Sequence, residues 1–474
     1  MPRLAKTAFP AHAAIVSPPL MLRSWLPVLL GVLSTAASAD GGGPEVLGLD
    51  RVLELVHTES PVLKSAQASV AAAEADVEKA WTAWLPNAAA IGQLTFNSAQ
   101  QEFDFGALAG PLIGAVQLPA GLPPLTIDPT KLPPSTVIQP YVQVAGLLTL
   151  KQTLFNITAL RAPGVAKKGR LAAETGVLAA EDELTFNAAQ LYATLVGLKS
   201  LESAAKRAIE IDEKRIQDAK TQLEAGTGTR FQVTRAETEK AVAEGQLLSL
   251  RSQRRTLLAG LQAIIGREQP IEVSDEPLEK VVSLDVAEKP TERNKIRARE
   301  QAVEAAEAAV GLSAQNWIPS LALDGTLRYS NVKGFSGENF LATASLNLVI
   351  PIYDSGVRYA DTHRAEAMVV KAREDLAAER LATAAFLTEA ESKLDSARAE
   401  LAQAEAQLRL ATAGVEQVES LAQNGLSTNL ELSDADSKRY QADQLVAQKK
   451  LDVDLALLRL IYARGGKIAA RTAK

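Results

Sequence analysis

From about Gly356 to Asp436 the chain contains no proline and carries a seven-residue apolar repeat: Leu387, Leu394, Leu401, Leu408 and Val415, with Ala390, Ala397, Ala404, Ala411 and Val418 three places further on. Apolar residues at those two heptad positions form the seam of a coiled coil. The roughly 70 residues ahead of the turn Asn424-Gly425-Leu426-Ser427-Thr428 reach about 100 Å at a helical rise of 1.5 Å per residue. So long a helix needs partners along its whole length. Alanine at most of the second seam positions lets backbones approach closely and predicts a layered packing of helices. Composition agrees, because 47% of residues are hydrophobic but only 4% aromatic, too few large side chains for several compact cores.

The chain also repeats itself. Trp84-Leu85-Pro86-Asn87 returns as Trp317-Ile318-Pro319-Ser320, and Leu154-Phe155-Asn156 returns as Ile352-Tyr353-Asp354. The turn Gly226-Thr227-Gly228-Thr229 returns as Gly425-Leu426-Ser427-Thr428. Three landmarks in one order indicate an internal duplication. Leu195, Ile209 and Ile216 take the places of Leu394, Leu408 and Val415, with Glu202 where Leu401 stands.

Each unit reads as helix, strand, loop, strand, long helix, tight turn, helix. The first unit, 40–265, has a helix from Leu47 to Ala83 and strands at about 87–98 and 141–155 around a loop rich in proline and glycine, about Gly106 to Pro140. A long helix then runs to Ala225, and a shorter one from about Thr229 to Ile265. Residues 266–290 form an irregular linker through Pro270, Pro277 and Pro290. The second unit, 291–466, has a helix from about Thr291 to Asn316, then strands at about 320–330 and 339–350 joined by a short loop at Gly334 to Gly337. The long helix and a last one from Thr428 to about Ala463 follow, and 467–474 is a tail. The shorter helices can stack end to end beside the long ones.

The strands alternate. Leu321, Leu323, Gly325, Leu327 and Tyr329 share one face, and Ala322, Asp324, Thr326, Arg328 and Ser330 the other. Ala88, Ala90, Gly92, Leu94 and Phe96 keep the apolar face in the first unit. Val142, Val144, Gly146, Leu148 and Leu150 correspond to Phe340, Ala342, Ala344, Leu346 and Leu348. About 10 residues is the length of a tilted strand across a bilayer. Four strands cannot close, and open edges are forbidden in lipid. Three copies give 12 strands, a barrel wide enough for a water-filled lumen. Trp84 and Trp317 suit either an interfacial aromatic belt or packing at the helix-to-strand kinks.

Arg23, the apolar run Trp25 to Val32 and Ala37-Ser38-Ala39 form a secretory leader cleaved after Ala39, so 1–39 is read as a signal peptide. Its loss takes the formal charge from -6 to about -9, which argues against a nucleic-acid partner. There is no cysteine, hence no disulfide framework or thiolate metal site, and His12, His57 and His363 are scattered. With no Walker A pattern, triad or metal-spaced cluster, an enzyme is not expected, and neither a cofactor nor a metal.

The Trp-Leu-Pro and Trp-Ile-Pro junctions, the segment Val349-Ile350-Pro351-Ile352-Tyr353-Asp354-Ser355-Gly356 and the two glycine-threonine turns resemble the TolC outer membrane efflux family over nearly all of the mature chain. The resemblance implies α-helices combined with a membrane β-barrel: a homotrimer whose 12-stranded barrel in the outer-membrane lipid continues into a long α-helical periplasmic tunnel. It implies docking on a periplasmic adaptor and an inner-membrane transporter, with the chain as a passive exit duct in efflux or type I secretion. From another class, a periplasmic coiled-coil scaffold or adhesin with a soluble sheet is the alternative.

The resemblance makes both turns the tips at which the tunnel closes and the adaptor docks: Gly226, Thr227, Gly228 and Thr229, and Gly425, Leu426, Ser427 and Thr428. It places an acidic ring just beyond the second turn, where Glu431 and Asp434 stand and Asp436 adds charge. Glu431 also completes a capping box with Thr428, as Gln232 does with Thr229, so capping stands beside gating there. The family's best-known gate uses an arginine and an aspartate where Ser427 and Gln232 stand, so that lock is absent or rebuilt. Trp84, Pro86, Trp317, Pro319, Pro351 and Gly356 mark the helix-strand junctions.

Overall fold

The computed structural model of the chain describes residues 45–104, 107, 135–274, 293–333, 337–424, 426–466 and 468. The leader at 1–39, most of the 106–140 loop, the linker beyond Ser274, 334–336 of the short loop, Gly425 and the tail other than Ile468 lie outside the described residues.

In chain order the elements are β1 (Glu45–Leu47), α1 (Leu49–Glu59), α2 (Pro61–Thr82), β2 (Asn87–Phe96), β3 (Gln101–Phe103), β4 (Thr136–Gln139) and β5 (Val142–Phe155). They continue as α3 (Ile157–Glu224), α4 (Arg230–Ile265), β6 (Ile271–Val273), α5 (Asn294–Ser313), β7 (Ser320–Ser330), β8 (Phe340–Val349), α6 (Val357–Gln423) and α7 (Asn429–Ala463).

One helix is expected from Leu47 to Ala83, but the structure breaks it. Ser60 sits at φ -53° and ψ 122°. The ring of Pro61 crowds the residue before it out of the α region, and Pro61 then takes the first helical position, where a missing N–H is no loss. The short α1 buries Leu49, Val52, Leu53 and Val56, the spacing of one helix face. These join Leu47, Tyr192, Leu261, Ile265, Val273, Leu458 and Ile461 in a core where α1, the middle of α3 and the ends of α4 and α7 meet. Each such leucine or isoleucine contributes about 1.5–3 kcal/mol.

That core is closed by a small sheet absent from the sequence reading: β6, inside the expected irregular linker, pairs with β1. A second short pair, β3 with β4, puts one strand, β4, inside the expected loop of about Gly106 to Pro140. His57 is exposed on α1, with Nδ1 2.8 Å from Glu181.

The long helices α3 and α6 are 68 and 67 residues. Helix α3 packs against α2, α4, α5 and α7, and α6 against α5 and α7. The seam does the work its spacing implies: Ala390, Leu394 and Ala397 are buried against Ala456, Leu460 and Ala463 of α7. Ala404 and Val415 are buried further along. Helices α2 and α4 meet end to end where Pro61 touches Gly266.

The sheet order is β2-β5-β7-β8. Its register carries the apolar face across all four strands: Phe340 opposite Tyr329, Tyr329 opposite Gly146, and Gly146 opposite Gly92. The charged side chains of these strands, Lys151, Asp324 and Arg328, all fall on the opposite face. Among the described residues β2 and β8 each keep one unpaired edge.

Candidate functional site

Both tips are built by turn chemistry. Gly226 takes φ 73°, and the amides of Thr227 and Gly228 donate to the Gln222 carbonyl at 2.9 and 2.8 Å. A Cβ on Gly228 would lie 2.9 Å from Gln222 Cβ and 3.0 Å from the Leu223 nitrogen, so only glycine fits that turn. Thr229 and Gln232 then form a reciprocal capping box at the start of α4. At the second tip, Leu426 N–H donates to the Leu421 carbonyl at 2.9 Å.

Glu431 is held by the cap of α7. Its Oε2 accepts from Thr428 N (2.8 Å), Ser427 Oγ (2.9 Å) and Thr428 Oγ1 (3.1 Å). The backbone bond from Thr428, then the hydroxyls of Ser427 and Thr428, hold its carboxyl below the usual 4.5. A carboxyl depressed in the fold stabilises fully above its ordinary value and stops doing so as pH falls through the folded one. The first turn of α7 is therefore expected to fray only below about pH 4.5. Thr428→Ala should raise amide exchange there at neutral pH by roughly fivefold, matching the ~1 kcal/mol a threonine cap contributes; unchanged exchange would remove the cap from the account.

Asp434 and Asp436 stand two apart on the helix and so point to opposite sides. Asp434 is 58% exposed and pairs with Lys438 at 2.7 Å. Asp436 is only 11% exposed and turns into the wall, where it pairs with Arg215 of α3 and, at 3.5 Å, Arg439. Arg215 also lies 3.8 Å from Asp212 and 3.7 Å from Glu239 of α4. Glu239 in turn accepts from Ser433 of α7 at 2.9 Å and from Arg235 Nε at 3.0 Å. One layer of three cations and three anions thus ties α3, α4 and α7 together. Cavities of about 500 and 520 Å³ adjoin it, and Arg215 and Glu239 line both. Burial pushes the Asp212 carboxyl above its ordinary 3.8, with Arg215 opposing.

Arg215, Asp212 and Glu239 were not singled out from the sequence, although a signal existed. Arg215 stands eleven residues before Gly226 and Asp436 eleven after Gly425, three helical turns from either tip. Gly414 occupies the place of Arg215 in the second unit, so the cluster has no counterpart there.

At the junctions, Gln152 Nε2 donates to the Trp84 carbonyl at 2.7 Å. Trp317 lies under the Arg358 guanidinium, 4.0 Å from ring centroid to Cζ, and edge-on to Tyr359. Arg358, another residue missed in the sequence, also bonds Asp354 at 2.6 Å and the carbonyls of Asn316 and Pro351. Gly356 takes φ 89°, and Asp354 accepts from its N–H at 3.2 Å. Pro86, Pro319 and Pro351 lie in the non-helical steps between helix and strand.

Long paired helices ending in capped turns, joined to a sheet with one face apolar except for Gln152 at the junction, define an outer-membrane channel fold. Solved structures agree. VceC of Vibrio cholerae superposes with a TM-score of 0.66 at 17% identity, over 88% of this chain and 96% of that one. CmeC, an outer membrane channel of Campylobacter jejuni, gives 0.67 at 16% identity over 89% and 86%. The open state of the MtrE outer membrane channel of Neisseria gonorrhoeae gives 0.66 at 18% over 90% and 91%. No curated protein sequence matches the chain. The pattern of the family described as Outer membrane efflux protein matches residues 52–267 and 290–466, and the chain belongs to that family. It is an outer-membrane protein, and its family and structural relatives are channels, not enzymes.

Proposed function

We propose that three copies of this chain, each exported by its leader, close their sheets into a 12-stranded barrel and serve as the passive exit duct of a tripartite efflux or type I secretion system. The observation that carries this is the four-stranded sheet, apolar on one face except for Gln152 at its helix-side end and, among the described residues, unpaired at the outer edges of β2 and β8. In lipid such edges must be paired, and only further strands can pair them. The tips at Gly226 to Thr229 and Gly425 to Thr428 are the docking points for the periplasmic adaptor, which links the duct to an energised inner-membrane transporter. Gating belongs to Asp434 as the exposed charge, with Asp436 and Glu431 holding the helices that carry it.

Planar-bilayer recording tests the reading, with trimer-sized conductance as the expected result. The cysteine-free chain allows cysteine pairs introduced on β2 and β8 to be scanned for a covalent trimer. Asp434→Ala should lower cation preference by about twofold, and Lys438→Ala should raise it, because the lysine now offsets that charge. Absence of both conductance and trimeric cross-links would overturn the duct.

A further inference from the structure

The water-facing side of the sheet is not uniformly polar. Arg328 of β7 stands opposite Leu147 of β5 and Leu341 of β8, and Leu147 stands opposite Ile91 of β2. These four side chains form one row across the protomer, on the face that also carries Asp324 and Lys151. The rows on either side are small or polar: Ala89, Thr149, Thr326 and Thr343 on one, Gln93, Ala145 and Ser330 on the other. Ile91 and Leu341 remain 55% and 53% exposed. Aliphatic side chains held in water contribute nothing to folding, and they lie on the wrong face to meet lipid.

The arginine is equally unaccounted for. On its own strand its same-face neighbours are Thr326 and Ser330. Across and diagonally it meets Leu147, Thr149, Ala145, Leu341 and Thr343. None of these is acidic. Asp324, the nearest carboxylate on that face of its strand, faces Lys151 and accepts from Asn347 Nδ2 at 2.5 Å. Strands lie about 4.8 Å apart, so Arg328 and Ile91, two strands distant, are separated by about 10 Å. That is the span of a charged head and a short alkyl or aryl body.

We propose that the row Ile91, Leu147, Arg328 and Leu341 is a transit site for small amphiphilic anions, recurring three times in the closed barrel. It rests on the duct reading and adds the substrate chemistry which the lumen favours. The guanidinium receives a sulfonate, carboxylate or phosphate head through paired N–H donors, and the aliphatic row covers the body.

The test is current block of the reconstituted channel by hexanesulfonate, with methanesulfonate as the same head without a body and hexyltrimethylammonium as the same body with the opposite charge. Hexanesulfonate should block at the lowest concentration, and Arg328→Gln should raise its half-blocking concentration by about tenfold, the value of one charge-assisted bond. Leu341→Ser should raise it by about threefold through lost apolar contact. Both side chains are exposed, so conductance should persist in both variants. A conducting Arg328→Gln channel blocked as readily as the parent overturns the site and leaves the duct standing, as does equal block by the ammonium probe. A preparation with no conductance at all overturns the duct, and the site falls with it.

Discussion

Arg215→Leu is expected to lower the stability of the folded chain by about 3 kcal/mol, the low end of what removing one partner of a buried ion pair costs. The guanidinium is 18% exposed, and the carboxylates around it are 12% (Asp212), 27% (Glu239) and 11% (Asp436) exposed. Without it, three carboxylates share a poorly solvated layer with Arg235 and Arg439 alone. The adjoining cavities leave leucine with little to pack against.

The pH dependence has a definite sign. Burial already raises the Asp212 carboxyl, and Arg215 restrains the rise. A carboxyl raised in the fold favours the folded state below its ordinary value and loses that advantage as pH increases through the folded one. The loss in Arg215→Leu should therefore be larger at about pH 7.5 than at about pH 5, as read by far-ultraviolet circular dichroism during denaturant unfolding in detergent. Asp212→Asn in the parent should be neutral or slightly stabilising at neutral pH. Arg215→Leu with Asp436→Leu should recover part of the loss, with a coupling of about 1–3 kcal/mol. A loss independent of pH, or below about 1 kcal/mol, would show that the layer is solvated and holds nothing. If the layer is the rebuilt lock, the same variant should also raise the open probability of the channel, because α3, α4 and α7 lose their common tie.

What could be seen in advance depended on the range of each signal. The seam from Leu387 to Val418 is periodic over many turns, and the structure buries its alanines against α7. The alternation of Leu321 to Tyr329 fixes a face, and the register then aligns four such faces. Strands of three or four residues such as β1, β3, β4 and β6 contain too little sequence to show a period, and they exist because partners distant in sequence reach them. The break at Ser60 was written locally in Pro61, and was outweighed by the apolar stripe that runs past it.

The site divides in the same way. The capping role of Glu431 is a pattern of four residues and was legible. The Arg215 cluster joins residues 221 positions apart, and no local pattern marks such a pair. Its only trace is the equal distance of Arg215 and Asp436 from their tips. Arg358 went unmarked for a similar reason: the residues it clamps come from the segment ahead of β7 and the turn ahead of α6.

Gly266→Ala is expected to cost about 3 kcal/mol, because two penalties coincide there. The residue caps α4 at φ 72°, a left-handed conformation that costs an alanine about 1–2 kcal/mol. A Cβ would also stand 2.8 Å from Pro61 Cδ and 2.9 Å from the Glu59 carbonyl oxygen. Backbone and a proline ring cannot rotate aside, so overpacking adds about 1–3 kcal/mol. Two other glycines separate the terms. Gly226 has φ 73° and nothing within 4 Å of its Cβ, so alanine there should cost only the strain, about 1 kcal/mol. At Gly197, inside a regular helix with no backbone strain, a Cβ would meet Leu451 Cδ1 and Cδ2 at 2.8 Å and its Cγ at 3.0 Å, so the whole branched end of a buried leucine must shift; alanine there should cost the crowding alone, about 1–3 kcal/mol, less up to about 1 kcal/mol returned by its helix propensity. In denaturant unfolding the loss at Gly266 is expected to exceed that at either Gly226 or Gly197. Equal losses at Gly266 and Gly226 would mean that α2 and α4 are not in contact. The contact matters because Arg267, the next residue, holds Glu59 through bonds of 3.0 and 3.2 Å. Parting α4 from Pro61 would therefore pull that bridge away from α1 and open the core beneath it.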